Sequence, residues 1–194
     1  MGVGRGLLWR AFGLPTGVLG RLGGRIMAGG KKEALVQKVL ALLDVRPGER
    51  VLEVGFGPGV GIRLAQARVG QSGLVVGVDP SDVMIEMAQE RNAEAIERGT
   101  VKLLKGTVDR LPFPEDHFDK AYAMNSMQVW PDATGGLREI RRVLKQGGRL
   151  ALSFDGPARK VVTRESVAAA LAEAGYKEVE THDEAGTLYL VAAT

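Results

Sequence analysis

The sequence predicts an α/β fold: a doubly wound, seven-stranded, mostly parallel sheet with helices on both faces and an antiparallel last strand. Apolar strand-like segments alternate with helix-like segments from about residue 31 onward. Glycines follow the first of these strands and an acid ends the second, as is typical of strand ends that bind ligands in parallel sheets. Only Glu184-Ala185-Gly186 separates the last two strand-like segments, which is too short for a parallel connection.

The predicted elements follow one another with short connections. Ser81 is typical of a helix N-cap, and Gly99 of a helix end. The predicted strands are residues 50–54, 74–78, 101–104, 120–124 and 149–154, with two more in the tail after Gly175. The predicted helices are residues 31–43, 60–68, 81–97, 133–145 and 164–174, and Lys145-Gln146-Gly147-Gly148 is expected to end the fourth of them.

Length and composition suit one globular domain. The chain has 194 residues, of which 45% are hydrophobic and 25% charged. It has no cysteine, which excludes disulfides, thiolate metal sites and a cysteine nucleophile, and we predict no metal site. No apolar stretch approaches the roughly 18–20 residues of a membrane span. Arginines interrupt the N-terminal apolar residues, so we expect no signal peptide and a cytoplasmic protein.

Charge is distributed unevenly along the chain. Residues 1–32 contain six basic residues and no acid, so the rest of the chain carries a net charge of −3 out of a total of +3. We therefore divide the chain into a basic, glycine-rich arm, residues 1–30, and a domain, residues 31–194. The arm suits a lid over the site, a homodimer contact or a peripheral membrane contact through a helix capped by Thr16. The acidic body disfavours nucleic acid as a partner.

Residues 51–61, VLEVGFGPGVG, place four glycines at alternate positions directly after a strand. Glycines let a ligand approach the backbone, and the following helix offers free amides. A dinucleotide fingerprint, G-x-G-x-x-G, would need a third glycine at Val60 or Ile62. Pro58 also removes one amide from the loop. The spacing therefore disfavours a nicotinamide-dependent oxidoreductase.

The stretch E-V-G-F-G-P-G resembles the first motif of class I S-adenosylmethionine-dependent methyltransferases. The later motifs match in order: Val78-Asp79-Pro80-Ser81, then GTVDRLPFPEDHFD at 106–119, then REIRRVLKQGGRLALS at 138–153. The resemblance covers residues 33–194. It implies a Rossmann-like methyltransferase fold, with S-adenosylmethionine as cofactor and S-adenosylhomocysteine as product.

The resemblance also implies a set of cofactor contacts. The glycine loop would pass under the amino-acid end of the cofactor, the acid before it would orient the amino group, and the acid ending the second strand would hold the ribose. A backbone amide after the third strand would meet the adenine, where the family commonly has Asp in place of Thr107. The implied cofactor-binding residues are Glu53, Gly55, Phe56, Gly57, Gly59, Asp79, Pro80, Thr107, Val108 and Asn125.

The sequence offers three candidate catalytic residues, at and near the end of the fourth strand. The stretch at 124–132 often contains histidines in the family, whereas this chain has Gln128 and Val129. The candidates are Asn125, which the resemblance places near the sulfonium, Gln128, and Tyr122, which on a central strand is more typical of the core than of catalysis. Methyl transfer mainly requires alignment of the reacting atoms, and a base is needed only when the nucleophile must lose a proton.

The sequence thus favours transfer of a methyl group to a small or lipophilic acceptor by in-line displacement, with the atom (N, O, S or C) left open. Asn125-Ser126-Met127-Gln128 differs from the Pro-Pro-aromatic string of enzymes that methylate base amines, which argues against DNA. Two alternatives remain open. One is a non-catalytic S-adenosylmethionine-binding regulatory protein, and the other is a protein- or RNA-directed methyltransferase that docks through the basic arm.

Overall fold

The computed structural model describes residues 29–194. Its strands are β1 (Arg50–Val54), β2 (Leu74–Asp79), β3 (Val101–Lys105), β4 (Phe118–Met124), β5 (Leu144–Phe154), β6 (Lys177–Glu184) and β7 (Thr187–Ala193). Its helices are α1 (Gly30–Leu42), α2 (Val60–Val69), α3 (Asp82–Glu97), α4 (Ala133–Val143), α5 (Gly156–Arg159) and α6 (Arg164–Glu173), and a short 3-10 helix covers Met127–Val129.

The strands form one sheet in the order β3-β2-β1-β4-β5-β7-β6. β1 pairs in parallel with both β2 and β4, whereas β7 is antiparallel to β5 and to β6. The predicted mostly parallel sheet with an antiparallel last strand is therefore confirmed. The chain moves outward from β1 in one direction through β2 and β3, and in the other from β4 to β5. The topological switch point thus lies between β1 and β4, where ligands of such sheets bind.

Apolar side chains cover both faces of the sheet. Leu52 of β1 packs on one face with residues of α4 and α6, such as Leu137. Its neighbour Val51 packs on the other face with residues of α1 and α2, such as Val39 and Ile62. This alternation follows the two-residue period of a strand. Because helices cover both faces of the sheet, a ligand can approach it at the ends of the strands.

The boundary between α4 and β5 differs from the prediction. The predicted helix ran to residue 145 and the strand began at 149, but α4 ends at Val143 and β5 begins at Leu144. Leu144 is extended, with φ −79° and ψ 139°, and pairs with Phe118 at the start of β4. Lys145 Nζ also donates to Asp119 Oδ1 at 2.6 Å. Pairing with β4 thus overrides the local helix preference, and the register shifts before Lys120.

The predicted arm, residues 1–30, lies outside the described residues except for its last two positions. Its boundary and its suggested roles as lid, dimer contact or membrane contact stay predictions. Within residues 29–194, no helix is both long and apolar enough to cross a membrane.

Candidate functional site

The glycine loop between β1 and α2 lies at the switch point. Gly55, Gly57 and Gly59 have φ values of 76°, 54° and 78°, which residues with a side chain rarely adopt. A Cβ at Gly55 would lie 2.5 Å from Ser126 Cβ, and one at Gly59 would lie 2.7 Å from Ala88 Cβ. A Cβ at Gly57 would meet no atom nearer than 4.0 Å. Packing therefore requires two of these glycines, whereas Gly57 leaves its backbone open to a ligand.

Gly61, in the first turn of α2, has a different role. A Cβ there would lie 2.3 Å from Glu53 Oε1 and 2.6 Å from Glu53 Cδ. The glycine thus makes room for the carboxyl group of Glu53, which projects from β1 under the helix.

Glu53 is the buried acid of the site, with 2% of its surface exposed. Tyr122 Oη donates a hydrogen bond to Glu53 Oε2 at 2.8 Å. Burial raises the pKa of Glu53 to about 8, although the Tyr122 hydrogen bond and the nearby Lys32 charge oppose the shift. Burial also lowers the pKa of Lys32, and Glu53 and Asp155 oppose this. A cationic group placed beside Glu53 would therefore favour its ionised form.

Tyr122 is fully buried, and its hydroxyl is used by Glu53. Burial and Glu53 raise its pKa well above the ordinary value of a tyrosine. The structure thus places this catalytic candidate in the core beneath the site, where it holds the acid in position.

Asp79 ends β2 beside the glycine loop. Gly57 N donates to Asp79 Oδ2 and Ser81 N donates to Asp79 Oδ1, both at 2.9 Å. Burial raises the pKa of Asp79, and these two amides oppose the shift. Each oxygen keeps a further lone pair, so the carboxylate can also accept from two hydroxyls. Pro80, next in the chain, is exposed.

Two of the other predicted cofactor residues, Phe56 and Val108, have buried side chains. Phe56 is 3% exposed, and a Cβ at Gly77 of β2 would lie 2.5 Å from its Cδ1, so its ring belongs to the core. The Val108 side chain is also buried. Among the described residues, the Val108 amide has no protein acceptor, which leaves it available to a ligand. Thr107 is exposed beside it.

Asn125 and Gln128 come together at the end of β4, with a partner that the sequence did not reveal. Asn125 has a φ of 52° and donates through Nδ2 to Asp155 Oδ1, while Asp155 N donates back to Asn125 Oδ1 at 2.8 Å. Gln128 Nε2 donates to Asn125 O at 2.6 Å, and Gln128 Oε1 is buried without a partner in the described part of the chain. Lys31 Nζ lies 3.9 Å from Asp155 Oδ2.

Asn92 is a second residue that sequence reasoning missed. It is 4% exposed, and its Nδ2 donates to Gly59 O at 3.2 Å and to Ala88 O at 2.8 Å. Its φ of −115° interrupts α3 locally. It occupies a position on the buried stripe of that helix with Met84, Ala88 and Ala95. The sequence could have indicated its role, because Asn92 is a polar residue at a position on the apolar stripe of α3.

A cleft of about 670 Å³ lies at the opposite end of the sheet. Its lining includes Leu144, where β5 begins, Lys177, where β6 begins, and Thr194, after the end of the antiparallel β7. Ligands of parallel sheets bind at the carboxyl ends of the strands, so this cleft is separate from the site.

The parallel sheet, the open glycine loop and the acid that ends β2 together define the class of α/β domains that bind a nucleoside-containing ligand at the switch point. Residues 52–152 match the family model described as "Methyltransferase domain". The chain is 32% identical over 133 residues to the uncharacterised methyltransferase YdaC of Bacillus subtilis, covering 69% of this chain and 70% of that protein. It is 33% identical over 143 residues to the ubiquinone/menaquinone biosynthesis C-methyltransferase UbiE of Ectopseudomonas mendocina, covering 72% of this chain and 55% of that protein.

A crystal structure of an S-adenosylmethionine-dependent methyltransferase from Aquifex aeolicus has the same fold. The TM-score is 0.78 at 23% identity, over 89% of this chain and 97% of that one. The chain belongs to the methyltransferase domain family and is an S-adenosylmethionine-dependent methyltransferase with a Rossmann-like fold.

Proposed function

We propose that this methyltransferase acts on a small or lipophilic acceptor, with a carbon of an electron-rich, quinol-type ring as the first candidate. The observation that carries the cofactor placement is the open backbone at Gly57, directly beside the buried Asp79 carboxylate. The acceptor class rests on the names of the UbiE relatives, which are C-methyltransferases of ubiquinone and menaquinone biosynthesis. The chain matches only about half of their length, so their acceptor comes to this chain as a proposal.

The residues of the site fit S-adenosylmethionine at three points. Asp79 offers two oxygens to the vicinal hydroxyls of a ribose. The Val108 amide is available to an adenine ring nitrogen. Glu53, buried and largely protonated at pH 7, offers a carboxyl group to the amino group of the methionine part, directly or through water.

S-adenosylmethionine supplies a methyl group on a sulfonium, which is already an excellent leaving group. The chain must therefore bind the two substrates, exclude water and align the nucleophile with the methyl carbon. The end of β4, with Asn125 and Gln128, lies next to the cofactor loop and provides polar groups for the acceptor. A lipophilic acceptor would also suit a membrane contact through residues 1–30.

Calorimetric titration with S-adenosylmethionine and S-adenosylhomocysteine tests the cofactor placement. We expect micromolar binding by the wild type and at least a tenfold loss in Asp79→Ala, because a buried carboxylate that accepts hydroxyl hydrogen bonds is removed. Asp82→Ala is the matched control: this exposed acid lies three residues further on and pairs with Lys105. Equal affinity in both variants would contradict the ribose role.

The acceptor class is tested by methyl transfer from radiolabelled S-adenosylmethionine. The acceptors are 1,4-dihydroxynaphthalene under anaerobic conditions, a simple phenol, ethanolamine and a thiol. Label on a ring carbon of the diol supports the proposal. Label confined to ethanolamine or to the thiol would overturn the choice of acceptor while leaving the cofactor assignment intact.

A further inference from the structure

Asp155 follows β5 at the same edge of the sheet as the glycine loop and Asn125. It occupies the N-cap position of α5, where aspartate is a favoured residue because its side chain can accept a helix amide. Its carboxylate makes no such bond. It is instead turned across to β4, where it accepts from Asn125 Nδ2 through Oδ1. The carboxylate is thus positioned by the site and not by the helix that it precedes.

Holding the carboxylate there has a conformational cost. Asn125 adopts a φ of 52°, a left-handed conformation that asparagine tolerates better than most residues but that still carries strain. This conformation lets the Asn125 side chain form two hydrogen bonds with residue 155, one to its carboxylate and one from its backbone amide. The strained backbone of Asn125 thus accompanies two hydrogen bonds that join the ends of β4 and β5. This arrangement indicates that Asn125 positions Asp155.

The second oxygen of the carboxylate, Oδ2, accepts no hydrogen bond from the described residues. Oδ2 lies 3.9 Å from Lys31 Nζ, and the Lys31 side chain is 78% exposed, whereas that of Asp155 is 19% exposed. The Asp155 oxygen therefore keeps free lone pairs, and Asn125, which holds Asp155, also accepts a hydrogen bond from Gln128, whose Oε1 is buried without a partner in the described part of the chain. Both groups are acceptors, so they suit a ligand that donates.

The lysines at the start of α1 restrict what that donor can be. Lys31 lies by Asp155, and the charges of Asp155 and Glu53 both act on Lys32. Cations at a helix N-terminus are opposed by the helix dipole, so two adjacent lysines there are not explained by helix stability. They disfavour a cationic ammonium acceptor and favour one that becomes anionic on losing its proton. A ring hydroxyl meets both requirements.

We propose that Asp155 is the acceptor-binding carboxylate, which receives first the hydrogen bond and then the proton of a ring hydroxyl, with Asn125 as its positioning residue. The inference rests on the proposed function. The hydroxyl O–H bond breaks toward Asp155 Oδ2, and its electron pair moves into the ring. A ring carbon then forms the bond to the methyl carbon as the carbon–sulfur bond breaks and its electron pair stays on sulfur. The ring carbon loses its proton to water, and the ring oxygen recovers a proton from Asp155, so one proton is released per turnover.

The test compares two ligands that differ only in the donor. The full chain, saturated with S-adenosylhomocysteine, is titrated with 1-naphthol and with 1-methoxynaphthalene by fluorescence. We expect the wild type to prefer 1-naphthol by roughly 10- to 100-fold, the range for a hydrogen bond to a charged acceptor. Asp155→Asn keeps the shape and the contact with Asn125 but loses the charge, so the preference should fall to a few-fold or less.

Two further variants separate positioning from folding. Asn125→Gly adopts the positive φ without strain but lacks the side-chain contact, so it should reduce the preference partly. Asp44→Asn is the matched control, because Asp44 has the side chain of Asp155 and a positive φ like that of Asn125, 53°, but is exposed and pairs with Arg46. It should retain the full preference. Thermal melting confirms that each variant is folded.

The rate of methyl transfer to 1,4-dihydroxynaphthalene gives a second readout. Asp155→Asn should lower kcat while the affinity for S-adenosylhomocysteine is unchanged. The inference is overturned if 1-naphthol does not bind, if the wild type shows no preference for it, or if Asp155→Asn retains the preference. Failure of the proposed function has a different signature, because the wild type would then bind S-adenosylhomocysteine but methylate no ring acceptor.

Discussion

Replacing Gly61 by alanine sets two effects against each other. Alanine is favoured over glycine inside a helix by about 1 kcal/mol, so the substitution would ordinarily stabilise α2. The new Cβ, however, would lie 2.3 Å and 2.4 Å from the two oxygens of Glu53 and 2.6 Å from its Cδ. The whole carboxyl group must move by about 1 Å to reach ordinary van der Waals contact.

The cost of that movement exceeds the gain in helix propensity. Glu53 is only 2% exposed, so forcing its carboxyl group aside costs about 1–3 kcal/mol as overpacking. The 2.8 Å hydrogen bond from Tyr122 would be lost, and leaving buried polar groups unpaired costs about 1–3 kcal/mol more. After the gain of about 1 kcal/mol is subtracted, we expect Gly61→Ala to lower the free energy of unfolding by roughly 1–5 kcal/mol.

Urea unfolding at pH 7 measures this change in the free energy of unfolding. The decisive comparison makes the same Gly61→Ala substitution in a variant that lacks Glu53 and the Tyr122 hydroxyl. In Glu53→Ala/Tyr122→Phe, both the obstructing group and its hydrogen-bond partner are gone, so adding Gly61→Ala should be neutral or stabilising by up to about 1 kcal/mol. Gly30→Ala, in the first turn of α1 with nothing within 4 Å of its Cβ position, is the control for helix propensity alone. An equal effect of Gly61→Ala in both backgrounds would refute the packing argument.

Three further predictions concern the cofactor loop and the arm. Burial raises the pKa of Glu53 to about 8, so at pH 7 its carboxyl group holds a proton. Binding of S-adenosylmethionine should release this proton, because the ammonium group of the ligand favours the carboxylate. Titrations in buffers of different ionisation enthalpy should show the release for the wild type but not for Glu53→Gln. Asn92→Ala leaves Gly59 O without its side-chain donor, so it should lower the free energy of unfolding by about 1–3 kcal/mol and weaken S-adenosylhomocysteine binding several-fold. Replacing the exposed Arg98, the C-cap residue of the same helix, by alanine should do neither. Deletion of residues 1–28 should reduce co-sedimentation with anionic liposomes if the basic arm contacts membranes; equal binding with and without the arm, or none in either case, would end that idea.

The sequence predicted those features of the fold that depend on local pattern. Alternating strand-like and helix-like segments predicted the sheet, and the short Glu184-Ala185-Gly186 turn predicted the antiparallel pair. The predicted end of α4 was wrong because Leu144 is in an extended conformation and pairs with Phe118. This contact joins residues 26 positions apart, and no local pattern encodes it. For the same reason, the sequence did not predict that Gly55 packs against Ser126: Gly55 follows β1, whereas Ser126 follows β4.

The candidate site shows the same division. The glycine spacing and Asp79 were visible because a loop and the strand end after it carry their own signatures. Asp155 was not visible, because an aspartate directly before a short helix looks like an ordinary N-cap. Only the approach of β5 to β4 shows that its carboxylate faces Asn125 instead. Asn92 could have been found, because a polar residue interrupts the apolar stripe of α3.

The two halves of the site differ in how they are held, and this bears on what can change in evolution or design. On the cofactor side, the positions depend on backbone geometry: the positive φ of Gly57, the hydrogen bond from the Gly57 amide to Asp79, and the space that Gly61 leaves for the Glu53 carboxyl group. A substitution there disturbs the central strand as well as the ligand contact. On the acceptor side, Asp155 and Gln128 are held by hydrogen bonds to Asn125 near the ends of β4 and β5. These side chains can be exchanged without moving the sheet, so acceptor specificity should be easier to alter than the cofactor. Asp155→Asn should accordingly change the preferred acceptor at little cost in stability.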